Sequence, residues 1–363
     1  MTRLGRPPHP LPPLGGREIG AVFERISYRL PPEAIAQRPA ERRDEARLLV
    51  LHRQTGAMEF RGVRDLPSFL GSGDLLVLND SRVIPARISC KDATGKEIEF
   101  LILDPLVTGG RHRALAPGSG KFKEGDSFQG PGSTRFLFLG REDPGRVILE
   151  GHPAEGWAAY LDRWGRMPLP PYIRRTGMDL EGLDRERYQT RYAVARGSVA
   201  APTAGLHFTA ELLESVRAKA DCAFLTLHVG EATFRSHEGV PPGTETYSVP
   251  VEAWDKARQA KRVVAVGTTV CRTLEHLATS YPPPSLPPKG ERDCFCGETG
   301  IVISPGFEFR VVGALMTNFH LPESSPLALA AAFAGKEKLM RAYEAALGEG
   351  FRFASYGDSM LIL

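Results

Sequence analysis

No apolar run in the sequence approaches the ~18–20 residues that a helix needs to cross a bilayer. The N-terminus also lacks the apolar segment of a secretory signal, so the chain reads as soluble, unexported and cytoplasmic. Cysteine is sparse: Cys90, Cys222, Cys271, Cys294 and Cys296 are odd in number and scattered. This excludes a disulfide-built scaffold and fits a reducing compartment. There is no P-loop, no HExxH and no paired CxxC. The glycine pattern of dinucleotide binders is missing too, which sets nicotinamide and flavin enzymes aside. Cys294 and Cys296 follow a low-complexity stretch, and no metal site is expected there or elsewhere. The net charge of +3 is too mild to mark a nucleic-acid binder, because a clustered basic face rather than the total makes that footprint.

What is present suffices for a large core. A hydrophobic fraction of 42% in 363 residues predicts two domains. Residues 1–20 are rich in Pro and Gly without periodicity and read as a disordered tail. Their LPPLGGRE echoes LPPKGERD at Leu286 to Asp293, so 281–293 reads as a low-complexity surface insert, with a Pro-rich ligand for another domain as the alternative. RLLVLHR and AMEFRG flank QTG as a hairpin, and DLLVLND is a buried strand ending in a turn. From 88 to 151 the short segments EIEFLIL, HRALA, DSFQ, TRFLFL and RVILE, separated by Gly, Pro and Asp, predict a small antiparallel β-barrel. The barrel is inserted into a larger α/β domain, 21–87 and 152–363, expected to carry a semi-open, barrel-like sheet. The fold class is mixed α/β.

The run from Gly197 to Gly230 holds two histidines at the ends of a strand-helix-strand unit. Thr209 is the expected N-cap of its helix. In AFLTLHVG, His228 alternates away from the aliphatic side. RVVAVGTTVCRTLEHL reads as strand, turn and helix, with Thr268 or Thr269 as cap and backbone N–H groups free for an anion. GIVIS and FRVVGALMTNFHLP read as strands ahead of an Ala-rich helix, and FRFASYGDSMLIL as a last strand. Polar residues collect at the element ends: Asn79, Arg82, Arg87, Thr203, His207, His228, Arg235, Glu245, Thr268, Asn318, His320, Tyr356 and Asp358. A lone histidine is more often a packing residue than a catalyst, although its pKa of about 6.5 suits acid–base work. The spacing of the three histidines gives no support to a zinc triad. RWGR and RERYQTRYAVAR mix arginine with aromatics, as stacking on unpaired RNA bases would require, or else solvate a face.

In order along the chain, IAQRPAERRDEARLLVL, GDLLVLNDSRVIPARI, RMPLPPYIRR, GSVAAPTAGLHFT, LTLHVGEATFR, VVAVGTTVCRTLE, TNFHLPESS and FRFASYGDSMLI resemble the S-adenosylmethionine:tRNA ribosyltransferase-isomerases of queuosine biosynthesis. The resemblance runs from about Tyr28 to the C-terminus and is weak between Val107 and Glu150. It implies transfer of the ribosyl part of S-adenosylmethionine to 7-aminomethyl-7-deazaguanine at the tRNA wobble position. Rearrangement would give epoxyqueuosine, with adenine and methionine released. S-adenosylmethionine would then be a substrate, with no prosthetic group, and the protein a monomer. The resemblance makes His207 and His228 candidates for base and acid, with Thr203 and Glu245 beside them. Thr268, Tyr356, Asp358 and His320 become candidates for S-adenosylmethionine, and Asn79, Arg82, Arg87, Arg235 and Asn318 for tRNA.

One stretch departs from the family pattern. Where the family usually has GT after HVG and an MHSE-like element further on, this chain has Glu231 and Ala232, then Gly243 and Thr244 before Glu245 and Tyr247. A noncatalytic RNA-binding paralogue of the same fold is the alternative that this departure motivates.

Overall fold

The computed structural model describes residues 24–107, 109–143, 145–175, 180–231, 243–281 and 293–363. The expected tail and nearly all of the Pro-rich insert lie outside them. The hairpin forms as β1 (Arg47–Leu51) and β2 (Met58–Gly62), and the buried strand as β3 (Asp74–Asn79). A short β4 (Ser81–Val83) leads into β5 (Arg87–Lys91), β6 (Glu97–Ile102), β7 (Arg111–Leu115), β8 (Ser127–Gln129), β9 (Arg135–Asp143) and β10 (Arg146–Gly151). Helices α1 (Trp157–Trp164) and α2 (Glu181–Arg187) follow, then β11 (Ala195–Ser198), which pairs in parallel with β4. The chain continues through α3 (Ala210–Arg217), β12 (Asp221–Leu227), β13 (Glu245–Pro250), α4 (Val251–Gln259), β14 (Arg262–Val266) and α5 (Thr268–Ser280). It closes with β15 (Cys294–Thr299), β16 (Val312–Asn318), α6 (Ser325–Ala334), α7 (Lys336–Gly348) and β17 (Ser359–Ile362).

Nine strands form one sheet in the order β15-β13-β12-β3-β14-β16-β17-β1-β2. Its centre, β12, β3, β14 and β16, is parallel throughout. β3 and β14 are nearly continuous aliphatic runs, as strands covered on both faces require, whereas β12 alternates. Alternate side chains serve opposite cores. Leu75, Val77, Val263, Ala265 and Leu315 pack with Trp254 of α4, Leu274 and Leu277 of α5, and Leu339 of α7. Leu76, Leu78, Val264, Val266 and Met316 pack with Leu212, Leu213 and Val216 of α3 and with Leu66. Thr209 caps α3 as expected, its hydroxyl accepting the Leu212 N–H at 3.1 Å.

The six strands β5 to β10 close into an antiparallel barrel. Phe100, Phe128, Phe136 and Phe138 fill it, and its core also takes in Ile84 and, from α1, Trp157, Tyr160 and Leu161. Chain exit and return meet at one bridge, where Arg87 and Arg166 exchange backbone hydrogen bonds of 3.2 and 2.7 Å.

Three local expectations change. GIVIS (300–304) is not a strand; pairing with β13 ends at Thr299, and the segment turns instead along the sheet edge. Neither Thr268 nor Thr269 caps α5, because Gly267, at φ 97°, occupies the cap position and Thr268 is the first helical residue. Cys294 and Cys296 are bonded to each other on β15, which differs from the reducing-compartment reading.

Glu275 of α5 is fully buried, and its carboxylate accepts the N–H groups of Arg310, Val311 and Val312 at 2.8, 3.0 and 2.8 Å. It thereby fixes where β16 begins. Glu275→Ala would strip three N–H groups of their acceptor, that of Val312 in a buried setting, and is expected to lower unfolding free energy by ~1–3 kcal/mol in a denaturant titration. A loss below ~1 kcal/mol would show that the strand start is held by packing alone.

Candidate active site

Because β12, β3, β14 and β16 run the same way, their carboxyl ends leave the sheet along one edge. Ligands of open α/β sheets bind at such edges, where the chain turns outward. A cavity lies there, with about 1120 Å³ of empty space including its open mouth. Val229 follows β12, Gly267, Thr268 and Thr269 follow β14, and Thr317 to Leu321 end β16. Thr203 and Ala204, Glu245 at the start of β13, the 301–303 segment, and Ala354 and Ser355 complete the wall.

Of the residues singled out in the sequence, Thr203, Glu245, Thr268, Asn318 and His320 line this cavity. The Nε2 of His320 is 2.7 Å from the Thr317 hydroxyl, its backbone N–H donates to Tyr343 and its carbonyl accepts from Tyr28. Burial pushes the His320 pKa well below the usual histidine value. His228 stands one residue before the cavity wall. Its ring rests on Gly197, where an added Cβ would come within 2.6 Å of it, and its Nδ1 is buried without a partner. Desolvation lowers its pKa, and the neighbouring Asp80 carboxylate opposes that shift.

His207 lies elsewhere, in a small recess with Arg43, Tyr356 and Ser355. It is 4% exposed, and burial lowers its pKa to about 4 against the pull of Asp358 and of a hydrogen bond to the Asn318 side chain. Tyr356 donates to Asp184, which is held by both Nε and Nη2 of Arg175 at 2.7 and 2.8 Å. Asp358 accepts the backbone N–H groups of Arg47 and Arg352 at 2.9 and 2.7 Å. Asn79 is 1% exposed, and its amide clamps β3 to β12 by donating to the Leu227 carbonyl and accepting from the Leu227 and Ser81 N–H groups. Arg82 is exposed on β4. Arg87 donates to Glu99 and to the Leu169 carbonyl and lines a second recess with Arg166, Arg175 and the Pro170–Pro171 loop. Arg235 lies outside the described residues. Among the described residues, no group of three or more His, Cys, Asp or Glu side chains is placed to hold a metal, and no helix is long and apolar enough to cross a membrane.

The cavity also contains groups that the sequence reading passed over, Arg272, Thr317, Tyr172 and Ser355, together with Thr269, read there only as a helix cap. Arg272 is 9% exposed and forms a buried ion pair, its Nη1 2.5 Å from Glu245 Oε2. Glu245 Oε1 accepts the Gly230 N–H at 2.9 Å, so one carboxylate ties the end of β12 to α5. A signal for Arg272 did exist. A cation in the second turn of a helix opposes the macrodipole, and such a placement is uncommon without a partner.

A family model described as "Queuosine biosynthesis protein" matches residues 23–362. The S-adenosylmethionine:tRNA ribosyltransferase-isomerase of Thermotoga maritima is 45% identical over 348 residues, covering 93% of this chain and 98% of the relative. Proteins of the same name from Geobacter metallireducens and Thermus thermophilus are each 43% identical, over 354 residues (93% of this chain, 98% of the relative) and 367 residues (94% and 99%). The crystal structure of S-adenosylmethionine tRNA ribosyltransferase from Thermotoga maritima matches the fold with a TM-score of 0.52 and 37% identity, covering 93% of this chain and 99% of that one. Matched along nearly its whole length in both sequence and fold, the chain belongs to the S-adenosylmethionine:tRNA ribosyltransferase-isomerase family of queuosine biosynthesis.

Proposed function

We propose that this protein transfers the ribosyl moiety of S-adenosylmethionine to 7-aminomethyl-7-deazaguanine at the tRNA wobble position and isomerises it, forming epoxyqueuosine with loss of adenine and methionine. Family membership over residues 23–362 carries the reading. The cavity at the sheet edge supports it. It mixes aliphatic wall with hydroxyl, amide and carboxylate groups, as small-molecule sites do.

The sulfonium of S-adenosylmethionine acidifies the adjacent C5′ hydrogens, so the protein needs a base there and a donor for the departing adenine. We assign the base to His228, whose bare Nδ1 lies beside the Asp80 carboxylate that favours its protonated form. His320, kept neutral by burial and joined to the Thr317 hydroxyl, serves as hydrogen-bond donor to the adenine. Thr203 and Thr268 orient the ribose. His207, Tyr356 and Asp358 hold the wall behind the cavity, and Asn79 holds the strand ends. For tRNA we assign Arg82 and the recess of Arg87, Arg166 and Arg175 to phosphates, and the Asn318 amide to the incoming base. Arg235 stays a tRNA candidate on sequence alone. A wobble base in a single-stranded loop costs little to extrude into such a pocket.

The deciding experiment follows adenine and methionine release from S-adenosylmethionine with tRNA that carries 7-aminomethyl-7-deazaguanine and with tRNA that lacks it. Release only with the modified tRNA is expected. Binding without release would make the chain a noncatalytic RNA-binding protein. His228→Gln is expected to slow release by at least ~100-fold with tRNA affinity unchanged, the usual scale for a lost general base. A change under threefold would remove His228 from the reaction.

His207 gives a separate prediction. Its native pKa of about 4 lies below the ordinary value, so between pH 6.5 and 4 the unfolded chain takes up a proton that the native chain refuses. Stability is therefore full above pH 6.5 and falls as pH drops through that window, by on the order of 3 kcal/mol. Denaturant midpoints of His207→Gln should lack this part of the acid-side loss; equal slopes for variant and wild type would contradict it.

A further inference from the structure

The corner of the cavity at the start of α5 is rich in donors that lack acceptors. Arg272 donates through Nε to the Ile301 carbonyl at 3.1 Å and through Nη1 to Glu245, but its Nη2 is buried without a partner. The hydroxyl of Thr269 is also buried and unpartnered, and no side chain caps the helix. Leaving a guanidinium nitrogen dry and unpaired is costly, so a bound group is expected to supply the acceptor. That group must be anionic, because a helix N-terminus and a guanidinium both favour negative charge. It must also be small and singly charged. Glu245 already neutralises one unit of the arginine charge, and the cavity wall is shared with the apolar Val302 and Ile303.

We propose that Arg272 Nη2, the Thr269 hydroxyl and the first turn of α5 bind the α-carboxylate of the methionyl part of S-adenosylmethionine. The assignment rests on the function proposed above and names the subsite that holds the amino-acid end of the donor. Glu245 acts through Arg272: it fixes the guanidinium plane so that Nη2 faces the cavity, which makes it a positioning residue. The Asn318 carbonyl oxygen on the same cavity is an acceptor, not a donor, and takes no part in holding the carboxylate.

The test compares calorimetric binding of S-adenosylmethionine with that of its decarboxylated analogue, which keeps the sulfonium, ribose and adenine. Wild type is expected to prefer the carboxylate-bearing compound by ~10- to 100-fold, the scale of a charge-assisted hydrogen-bond pair. Arg272→Met should reduce that preference to below about threefold, chiefly by weakening the parent compound. Because Arg272→Met strands the buried Glu245, Thr269→Val, which keeps the ion pair, and the double variant Glu245→Gln/Arg272→Met are measured alongside. Each is expected to narrow the preference. A preference that survives in all three variants overturns the assignment. If wild type binds both compounds equally, the carboxylate subsite falls and the functional reading stands. If wild type binds neither, both fall.

Discussion

Parallel pairing of β12, β3, β14 and β16 is the constraint on which the rest of the molecule depends. A parallel sheet sends every strand out along one edge, and here the exits deliver Val229, the Gly267–Thr269 turn and Thr317 to His320 to a common cavity. The neighbours complete it by running the other way. β13 is antiparallel to β12, so Glu245 begins at the edge where β12 ends. β17 is antiparallel to β16, so the segment before it contributes Ala354 and Ser355. Residues spread from Val229 to Ser355 thus become neighbours.

Buried charge separates scaffold from site. Glu275 is satisfied by three backbone donors. Arg43 spends its guanidinium on the Leu206 and Glu186 carbonyls, and Arg262 reaches Asp74 and the Phe69 carbonyl. Each is closed within the protein, as buried polar groups must be. At the cavity, Arg272 Nη2 and the Thr269 hydroxyl are left open, as expected when protein groups are held ready for a ligand.

Much of the fold was legible in the sequence because it rests on local pattern. The hairpin at β1 and β2, the continuous aliphatic β3 and β14, the alternation of β12 and the turn-punctuated strands of the barrel all read from periodicity. GIVIS failed because an aliphatic run shows only a tendency to be buried, and burial against the cavity wall satisfies it as well as a strand does. The site was less legible. Motifs marked Thr203, Glu245, Thr268, Asn318 and His320, which the structure brings together. The same motifs also held Asn79, Tyr356 and Asp358, whose polar atoms turn inward to backbone or to Asp184. Nothing in one-dimensional spacing separates a polar group that faces a cavity from one that clamps two strands. Arg272 was missed for the converse reason, since charge within a helix usually lies on its solvated side.

The bridge between Arg87 and Arg166 bears on how the barrel is attached. The chain leaves for the barrel and returns from it at adjacent backbone positions, with Gly165 packed so tightly on the Pro85 carbonyl, 1.7 Å from where a Cβ would sit, that only glycine fits the seam. Joining the two sides there would leave every strand neighbour in the nine-stranded sheet unchanged. The barrel thus leaves and rejoins the larger sheet at one seam, and the strand order that builds the cavity does not pass through it.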